Sequence, residues 1–368
     1  MLLSRPMLLT GTVWLGGDSE PFPDGAVLVG TDGLLLAAGP RGSVAGPGDA
    51  LAIAVSWIGP GLIDAHVHLA FGSPDAMLAG GVVACRDLGA PPADAARWAR
   101  TRAPVVAVAG PVLTAPGGYP SRSWGARGFA AFLDDPAQAE ALVAGLAAAG
   151  VGVVKLALEP AGGPVPDLAL ARIVTEAAHA RGLAVTAHAL RADMVSRALD
   201  AGVDELAHIP LDVLPAELVA RLAGPPATPV VSTLATLVGS GPPQVGAGIR
   251  ANAAALVGAG VPLRYGSDLG NHGTQPGADL RELRLLADAG LGARGALRAA
   301  TDGAAAAPGL AGRVTGRLTV GAPVALVGLD ADPVRDPGSW RRPRVVCVGA
   351  QALLPAQRRV RPTLLRRR

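Results

Sequence analysis

The sequence predicts an α/β fold: a (β/α)8 barrel of the TIM type, with a small β-sandwich domain made from both ends of the chain. From Trp57 onward, short β-branched runs alternate with Ala-rich helical stretches, which is typical of βα units and a parallel sheet. Eight such runs occur, the number that closes a barrel. The two flanks, residues 1–56 and 312–368, are instead short strands separated by Gly and Pro.

Residues 57–311 form the predicted barrel. Its strands are Ile58–His66, Val82–Leu88, Val105–Ala109, Val153–Leu158, Ala184–His188, Glu205–His208, Val230–Leu234 and Leu263–Asp268. Helices are predicted between or after them at Ala93–Arg102, Pro136–Ala149, Asp167–Arg181, Ala192–Ala201, Ile249–Ala259, Ala278–Ala289 and Ala293–Ala306. The third helix has clear ends, because Asp167 suits an N-cap and Gly182 follows its last turn.

The flanks read as the strands of one small domain. The N-terminal strands are predicted at Leu8–Leu15, Gly25–Val29 and Leu34–Ala38, and the C-terminal ones at Arg317–Val320, Pro323–Leu329, Arg344–Val348 and Ala350–Leu354. The two sets lie on either side of the barrel in the chain. The simplest packing joins them into one composite β domain of residues 1–56 and 312–368.

Composition limits the classes of function. Hydrophobic residues make up 50% of the chain, so a large core is expected, but aromatic residues make up only 3%. We therefore expect a ligand pocket that does not depend on stacking. The net charge is +3, and much of the excess lies in the tail from Arg358 to Arg368. Without a basic face elsewhere, we expect no nucleic-acid partner and a solvated tail.

Cysteine usage and hydropathy bear on the compartment. Cys85 and Cys347 lie in separate apolar runs, so two free buried thiols and a reducing, cytoplasmic location are expected. The chain has no apolar run of about 18 residues and no recognisable signal peptide, so no membrane association is expected. The expected partner is a small-molecule substrate, and assembly into a homo-oligomer stays open.

Lys155 is the only lysine among 32 basic Lys and Arg residues. It lies in the apolar run Val153–Leu158, where a lysine is costly to bury unless it is paired. A guanidinium is always charged, whereas a buried amine can become neutral and react. The lysine is therefore either a chance remnant of an Arg-biased composition or a residue whose amine is needed.

Side chains suited to metal binding stand at the ends of the predicted strands, where barrels carry their active residues. His66 and His68 close the first strand and face the same side, because strand side chains alternate. His188, His208 and Asp268 end the fifth, sixth and eighth strands. Each alone is more often structural, but together they converge on one mouth. Imidazoles with a carboxylate suit Zn²⁺ or a similar divalent ion.

Lys155 is explained if its amine adds carbon dioxide. A free ammonium is no metal ligand and would repel a cation. A neutral amine can form a carbamate, which is a two-oxygen anion able to bridge two metals, and arginine cannot do this. The hypothesis accounts for an amine among four imidazoles.

Three segments resemble the amidohydrolase superfamily. Residues Trp57–His68, reading WIGPGLIDAHVH, resemble its opening metal motif. Val83–Gly89 resembles the second strand of its prolidase-like and imidazolonepropionase-like branch, and Ala299–Thr301 with Gly316–Leu318 resembles the return to the small domain. The resemblance spans nearly the whole chain. It implies a metal-dependent hydrolase of amide-type C–N bonds, as in a dipeptide, an N-acyl amino acid or a cyclic amide.

The resemblance also implies a ligand set. His66, His68 and Asp268 would hold the first metal, His188 and His208 the second, and carboxylated Lys155 would bridge them. Two divalent ions, with zinc expected and manganese or iron as alternatives, would lie about 3.5–4 Å apart and activate a bridging hydroxide. Asp268 would also be catalytic, as general base and then acid.

Further residues near the strand ends are weaker candidates. His272 follows the eighth strand and is a candidate for catalysis or substrate binding, against the alternative of a solvent-exposed loop histidine. Tyr119 stands near the place where many relatives have a histidine and is a candidate for substrate binding. Asp87 would either support the metal ligands or pair with Arg86. His179, near a helix C-terminus, is assigned no role.

Three alternatives to the binuclear hydrolase stay open. A mononuclear aminohydrolase or deaminase would need one metal and no bridging lysine. A non-catalytic binding module would be expected to have lost ligands, whereas the set is complete. The third alternative is a lyase or an isomerase.

Overall fold

The computed structural model describes residues 1–239 and 242–354, so the arginine-rich tail lies outside the described residues. The strands are β1 Met7–Val13, β2 Phe22–Val29, β3 Leu35–Pro40, β4 Leu51–Pro60, β5 Leu62–Val67, β6 Val82–Asp87, β7 Val105–Val108, β8 Val112–Thr114, β9 Ala130–Phe132, β10 Val154–Ala157, β11 Val185–His188, β12 Glu205–Ala207, β13 Val230–Val231, β14 Leu263–Arg264, β15 Ala325–Leu329, β16 Val345–Val348 and β17 Gln351–Leu353. The α-helices are α1 Pro74–Ala79, α2 Pro92–Trp98, α3 Pro136–Ala148, α4 Leu168–His179, α5 Ala192–Asp200, α6 Ala216–Ala223, α7 Leu234–Val238, α8 Pro243–Gly258, α9 Leu280–Leu286, α10 Gly292–Ala299 and α11 Asp302–Ala305.

The predicted barrel is confirmed. Parallel pairing runs through β5, β6 and β7, and separately through β14, β13, β12, β11, β10 and β8. The ring closes between the first and last strands, where Ala65 N donates to Tyr265 O at 3.0 Å and Asp268 N donates to His66 O at 2.8 Å. All the strand ends that carry candidate ligands therefore open at one mouth.

The third barrel position differs from the expected single strand. It is divided between β7, which pairs with β6, and β8, which pairs with β10. Gly110 separates them with a φ of +73°, a conformation that glycine adopts without steric cost. The break lets the chain after β8 leave the barrel rim as a long loop, which carries Tyr119 and Trp124 over the mouth.

The helices follow the predicted order with some shifted ends. Asp167 caps α4 as expected, since its side chain accepts a hydrogen bond from Leu170 N at 2.8 Å. Helix α8 begins six residues before the predicted Ile249, and the last predicted helix is divided into α10 and α11. The seventh strand is shorter than predicted, because Thr233 takes a left-handed φ of +46° and starts α7.

The small domain contains strands from both ends of the chain, as the sequence predicts. Its seven strands form one sheet in the order β17–β16–β15–β4–β1–β2–β3, in which β4 and β15 join the two ends. Its interior is a separate apolar cluster that includes Met7, Leu9, Val27 and Leu326. Cys85 and Cys347 are both buried and unpaired, which confirms two free thiols. Across the described residues, no helix has the length and hydrophobicity needed to cross a bilayer.

Candidate metal centre at the barrel mouth

His66, His68 and Asp268 meet at the junction of the first and last strands. Each is at most 7% exposed. The Nε2 atoms of His66 and His68 lie 3.4 and 3.5 Å from Asp268 Oδ1. One donor atom from each residue falls within 4.8 Å of the others, a spacing that allows all three to share one ion. This trio matches the first half of the ligand set that the sequence predicts.

His188 and His208 form the second half. Their ring centroids are 4.7 Å apart, and the His208 ring lies 4.8 Å from that of His66. His208 Nδ1 lies 2.8 Å from Thr233 Oγ1, and His188 Nε2 lies 3.5 Å from Glu159 Oε2. Metal-binding histidines commonly use the second ring nitrogen in this way. These contacts do not involve Nε2 of His208 or Nδ1 of His188, which makes those two nitrogens the candidate donors to a metal.

Lys155 lies within the same group of side chains. It is 3% exposed, and its Nζ has no hydrogen-bond partner in the part of the chain that the structure describes. Burial lowers the pKa of Lys155 well below its ordinary value, and the negative charge of Asp268 opposes this only in part. A buried amine without a partner is costly. A ligand that binds beside this nitrogen would therefore stabilise the folded protein.

The electrostatics of the mouth favour neutral imidazoles. Burial lowers the pKa of His68 to about 3, with a further contribution from nearby Lys155. Burial also lowers the pKa values of His66, His188 and His208. Only a neutral imidazole has the free lone pair that a metal needs. The donor set of neutral imidazoles, a carboxylate and an amine that can become a carbamate thus fits one or two borderline divalent ions.

Backbone strain is concentrated at this mouth. Among the residues that the structure describes, five non-glycine residues have a φ in the left-handed region, and three of them are His208 (+80°), Thr233 (+46°) and Asp268 (+53°). Such conformations are uncommon for residues with a Cβ and tend to occur at functional sites. The strain turns the His208 and Asp268 side chains inward just where their strands end.

Tyr119 and His272 also reach the site. Both line the cavity of about 390 Å³ that opens above the candidate ligands, His272 from an exposed loop. The Tyr119 ring lies 4.7 Å from that of His188, and its hydroxyl accepts a hydrogen bond from Trp124 Nε1 at 3.0 Å. Their positions suit substrate contact, which stays a prediction.

Asp87 does not pair with Arg86. Its carboxylate accepts hydrogen bonds from Leu69 N at 2.7 Å and Gly89 N at 3.2 Å, which ties together the loops beside His68. Arg86 pairs instead with Glu205 on β12, because both side chains point into the barrel. Away from the mouth, His179 contacts Asp204 at 2.9 Å, an exposed pair that agrees with assigning it no role.

Sequence reasoning missed four residues of the site. Thr233 and Glu159 contact the second histidine pair, and Trp124 lies against His68 with ring centroids 4.5 Å apart. Asp64 accepts hydrogen bonds from His66 N and Ser267 N, which joins the first and last strand ends. Asp64 had a signal, since it lies two residues before His66 in the strand and faces the same side. The others follow from contacts between distant parts of the chain.

The expectation that the ligand pocket does not depend on stacking stays a prediction, but the pocket does contain aromatic rings. Aromatic residues are few, but Phe71, Tyr119 and Trp124 all line the cavity. Composition reports the number of rings in the chain and not where the fold places them.

Comparison with known proteins agrees with the fold. The family model described as "Amidohydrolase family" matches residues 57–351. An uncharacterized protein of Mycobacterium tuberculosis is 32% identical over 170 residues, covering 41% of this chain and 44% of the relative, so the match spans less than half of that curated protein.

Solved structures extend the likeness to nearly the whole chain. The crystal structure of a candidate prolidase from Bifidobacterium longum has a TM-score of 0.81 at 26% identity and covers 95% of this chain and 94% of that one. The A. niger ochratoxinase has a TM-score of 0.79 at 18% identity, covering 95% and 96%, a likeness of fold. Together with the match over residues 57–351, these findings show that the chain belongs to the amidohydrolase family.

Proposed function

We propose that the protein is a metal-dependent hydrolase of an amide-type C–N bond, with two divalent ions, zinc expected, bound at the barrel mouth. The observation that carries the proposal is the buried Lys155 Nζ, which lacks a partner and lies among four neutral imidazoles and Asp268. A single ion held by the first trio would not need an amine nearby.

The residues divide into two sets with one bridge. His66, His68 and Asp268 would bind the first ion, and His188 and His208 the second. The neutral Lys155 Nζ would add carbon dioxide and release a proton to solvent, and the resulting carbamate would be a ligand that both ions share. Burial favours this reaction, because it lowers the pKa of Lys155 and so supplies the neutral amine.

The metals would supply Lewis acidity and a lowered pKa for bound water. The protein's own part is proton transfer and orientation. Burial raises the pKa of Asp268, and Oδ1 is the oxygen that faces His66 and His68. Asp268 would take the proton of the attacking water and deliver it to the leaving nitrogen, while His272 and Tyr119 contact the substrate from the rim.

Metal content tests the proposal. The purified protein, loaded with zinc or manganese, is expected to hold close to two equivalents per chain. Lys155→Ala should lose at least one equivalent, with partial recovery in a short carboxylic acid, and Lys155→Arg should lose it without recovery. His188→Ala should lose one equivalent, whereas the matched control His179→Ala, at an exposed histidine far from the mouth, should keep both.

One observation favours a mononuclear alternative. In the described part of the chain, the compact donor group within 4.8 Å consists of His66, His68 and Asp268 without the second histidine pair. A single tightly bound equivalent that survives Lys155→Ala would support a mononuclear aminohydrolase and contradict the bridge. No retained metal in any variant, and no hydrolysis of amides, would support a binding module.

A further inference from the structure

One side of the cavity is an aromatic wall, which we define as Phe71, Tyr119, Trp124 and Phe129. Trp124 is its centre, with ring centroids 6.3 Å from Phe71, 6.2 Å from Tyr119 and 5.8 Å from Phe129. Phe129 stacks behind Phe71 at 6.3 Å and an interplanar angle of 18°. The four rings account for more than a third of the eleven aromatic residues in the chain. The fold therefore gathers a scarce residue type at one place.

The aromatic wall reaches both halves of the candidate metal centre. Trp124 packs on His68, and Tyr119 packs on His188, with ring centroids 4.5 and 4.7 Å apart. The hydrogen bond from Trp124 Nε1 to Tyr119 Oη holds these two rings in one arrangement. At the outer end, Phe71 is 48% exposed. An apolar surface of edge-to-face rings, with Trp124 at 77° to Phe71 and 75° to Tyr119, thus extends from the reacting centre to the rim.

The rest of the lining offers little for a charged substrate. Leu88, Val112, Leu190 and Leu237 complete the apolar part. Lys155 is the only lysine, and no arginine is present among the described residues that line the cavity. Glu159, which contacts His188, adds a negative charge next to the candidate ligands. A substrate carboxylate that lies along the apolar wall, away from the proposed ions, would lose its hydration without gaining a guanidinium or ammonium partner.

Two exposed arginines, Arg191 and Arg281, have other partners. Arg191 lies 3.6 Å from Asp193 and 3.8 Å from Asp212. Arg281 forms an ion pair with Asp279 at 2.7 Å and donates to Gly273 O at 2.9 Å. Neither lines the cavity, and no other arginine is among the described residues that line it.

We propose that the substrate is an uncharged amide with a planar aromatic group, which packs along Trp124 and Phe71 while the scissile carbonyl faces the histidines. This inference rests on the proposed hydrolase function and narrows it. Within the classes that the sequence leaves open, it disfavours dipeptides and N-acyl amino acids, because both carry a carboxylate at neutral pH. Aromatic stacking and cavity shape, not an ion pair, would select the substrate.

A matched substrate pair separates charge from shape. 4-Acetamidoacetophenone and 4-acetamidobenzoate share the ring and the scissile bond, and they differ by an acetyl group against a carboxylate. With metal-loaded protein, we expect kcat/KM for the uncharged compound to be at least tenfold higher. Equal or better hydrolysis of the carboxylate would overturn the inference while leaving the hydrolase function intact.

A second readout does not depend on metal or turnover. Calorimetry with metal-free protein should show that 4-acetamidoacetophenone binds more tightly than 4-acetamidobenzoate. Trp124→Leu and Phe71→Leu should each weaken that binding about tenfold. Phe132→Leu is the matched control, since Phe132 is 41% exposed but does not line the cavity, and it should bind as the wild type does.

The two proposals fail in different ways. Binding of the uncharged ligand that depends on Trp124, with no hydrolysis of any amide by the metal-loaded protein, would support the aromatic site and contradict the hydrolase. If the protein hydrolyses amides but neither Leu variant loses binding, the hydrolase function would be supported and the aromatic site would be contradicted.

Discussion

Two layers of the barrel interior bury charged groups in opposite ways. The floor network, which we define as Arg86, Glu205 and Arg264, is buried in the barrel and does not line the cavity at the mouth. Glu205 pairs with both arginines, accepts a hydrogen bond from Thr186 Oγ1 at 2.9 Å, and is fully buried. Arg86 also donates to Ala65 O at 2.8 Å. At the mouth, Lys155 Nζ has no comparable partner among the described residues.

The difference separates structure from function. In the floor network every charged group has a partner within the protein, since both guanidinium groups pair with the carboxylate of Glu205. The mouth instead holds neutral histidines, an unpartnered amine and a strained backbone, all of which raise the free energy of the folded protein. Proteins keep such costs where a ligand offsets them. The difference supports the proposal that the mouth is the reactive site and that the floor network has a structural role.

The largest effect is expected from breaking the floor network. Glu205→Gln keeps the size of the side chain but leaves two buried guanidinium groups without a counter-charge, so it should lower the free energy of unfolding by about 3–5 kcal/mol. Urea denaturation measures this. The exposed control Glu140→Gln on α3 should change it by less than about 0.5 kcal/mol. A Glu205→Gln variant as stable as the wild type would contradict the proposed difference between the floor network and the mouth.

At the mouth, by contrast, we expect a substitution that raises the free energy of unfolding. Lys155→Met replaces an unpartnered amine by an apolar chain of similar length, so the metal-free protein should gain about 1–3 kcal/mol of stability while metal binding is lost. Urea denaturation in a chelator, with Arg86→Met measured in parallel, makes the comparison direct. If Lys155→Met lost stability as Arg86→Met should, the amine would have a structural role.

A smaller effect should follow from the contact between Thr233 and His208. Thr233→Val keeps the branched shape but removes the hydroxyl that holds the His208 ring, so metal affinity should fall about 10-fold with little change in stability. Competition with a chromogenic chelator measures the affinity. Thr175→Val, at a buried threonine whose hydroxyl donates to Ala201 O away from the mouth, should leave metal affinity unchanged.

The smallest effect is the response of the floor network to acid. Burial alone would raise the pKa of Glu205, but the two flanking guanidinium groups outweigh it and hold the pKa below its ordinary value of 4.5. The carboxylate therefore stabilises the fold above pH 4.5, and this contribution is lost as pH falls through the lowered pKa. The stability gap between wild type and Glu205→Gln should narrow below pH 4.5, by at most about 1.4 kcal/mol per pH unit. If the stability difference between wild type and Glu205→Gln stayed constant as the pH fell, the effect of the substitution would come from packing and not from charge.

Much of the site could be predicted from the sequence because its signals are local. Strand alternation places His66 and His68 on one face, and the position of His188 at a strand end places it at the mouth. The pairing of Arg86 could not be predicted in this way. Its neighbour Asp87 is closer in sequence, but Glu205, 119 residues away, is the carboxylate that points into the same barrel layer.

The sequence by itself determined the barrel, the composite β domain and the identity of the candidate ligands, since each depends on periodicity or on strand ends. Only the tertiary structure decided what surrounds them. Trp124 lies 56 residues from His68 in the chain and Thr233 lies 25 from His208, so neither contact leaves a trace in local pattern. Aromatic residues are rare in the composition, but the fold places several of them along one side of the cavity. Their positions depend on loop geometry and long-range packing.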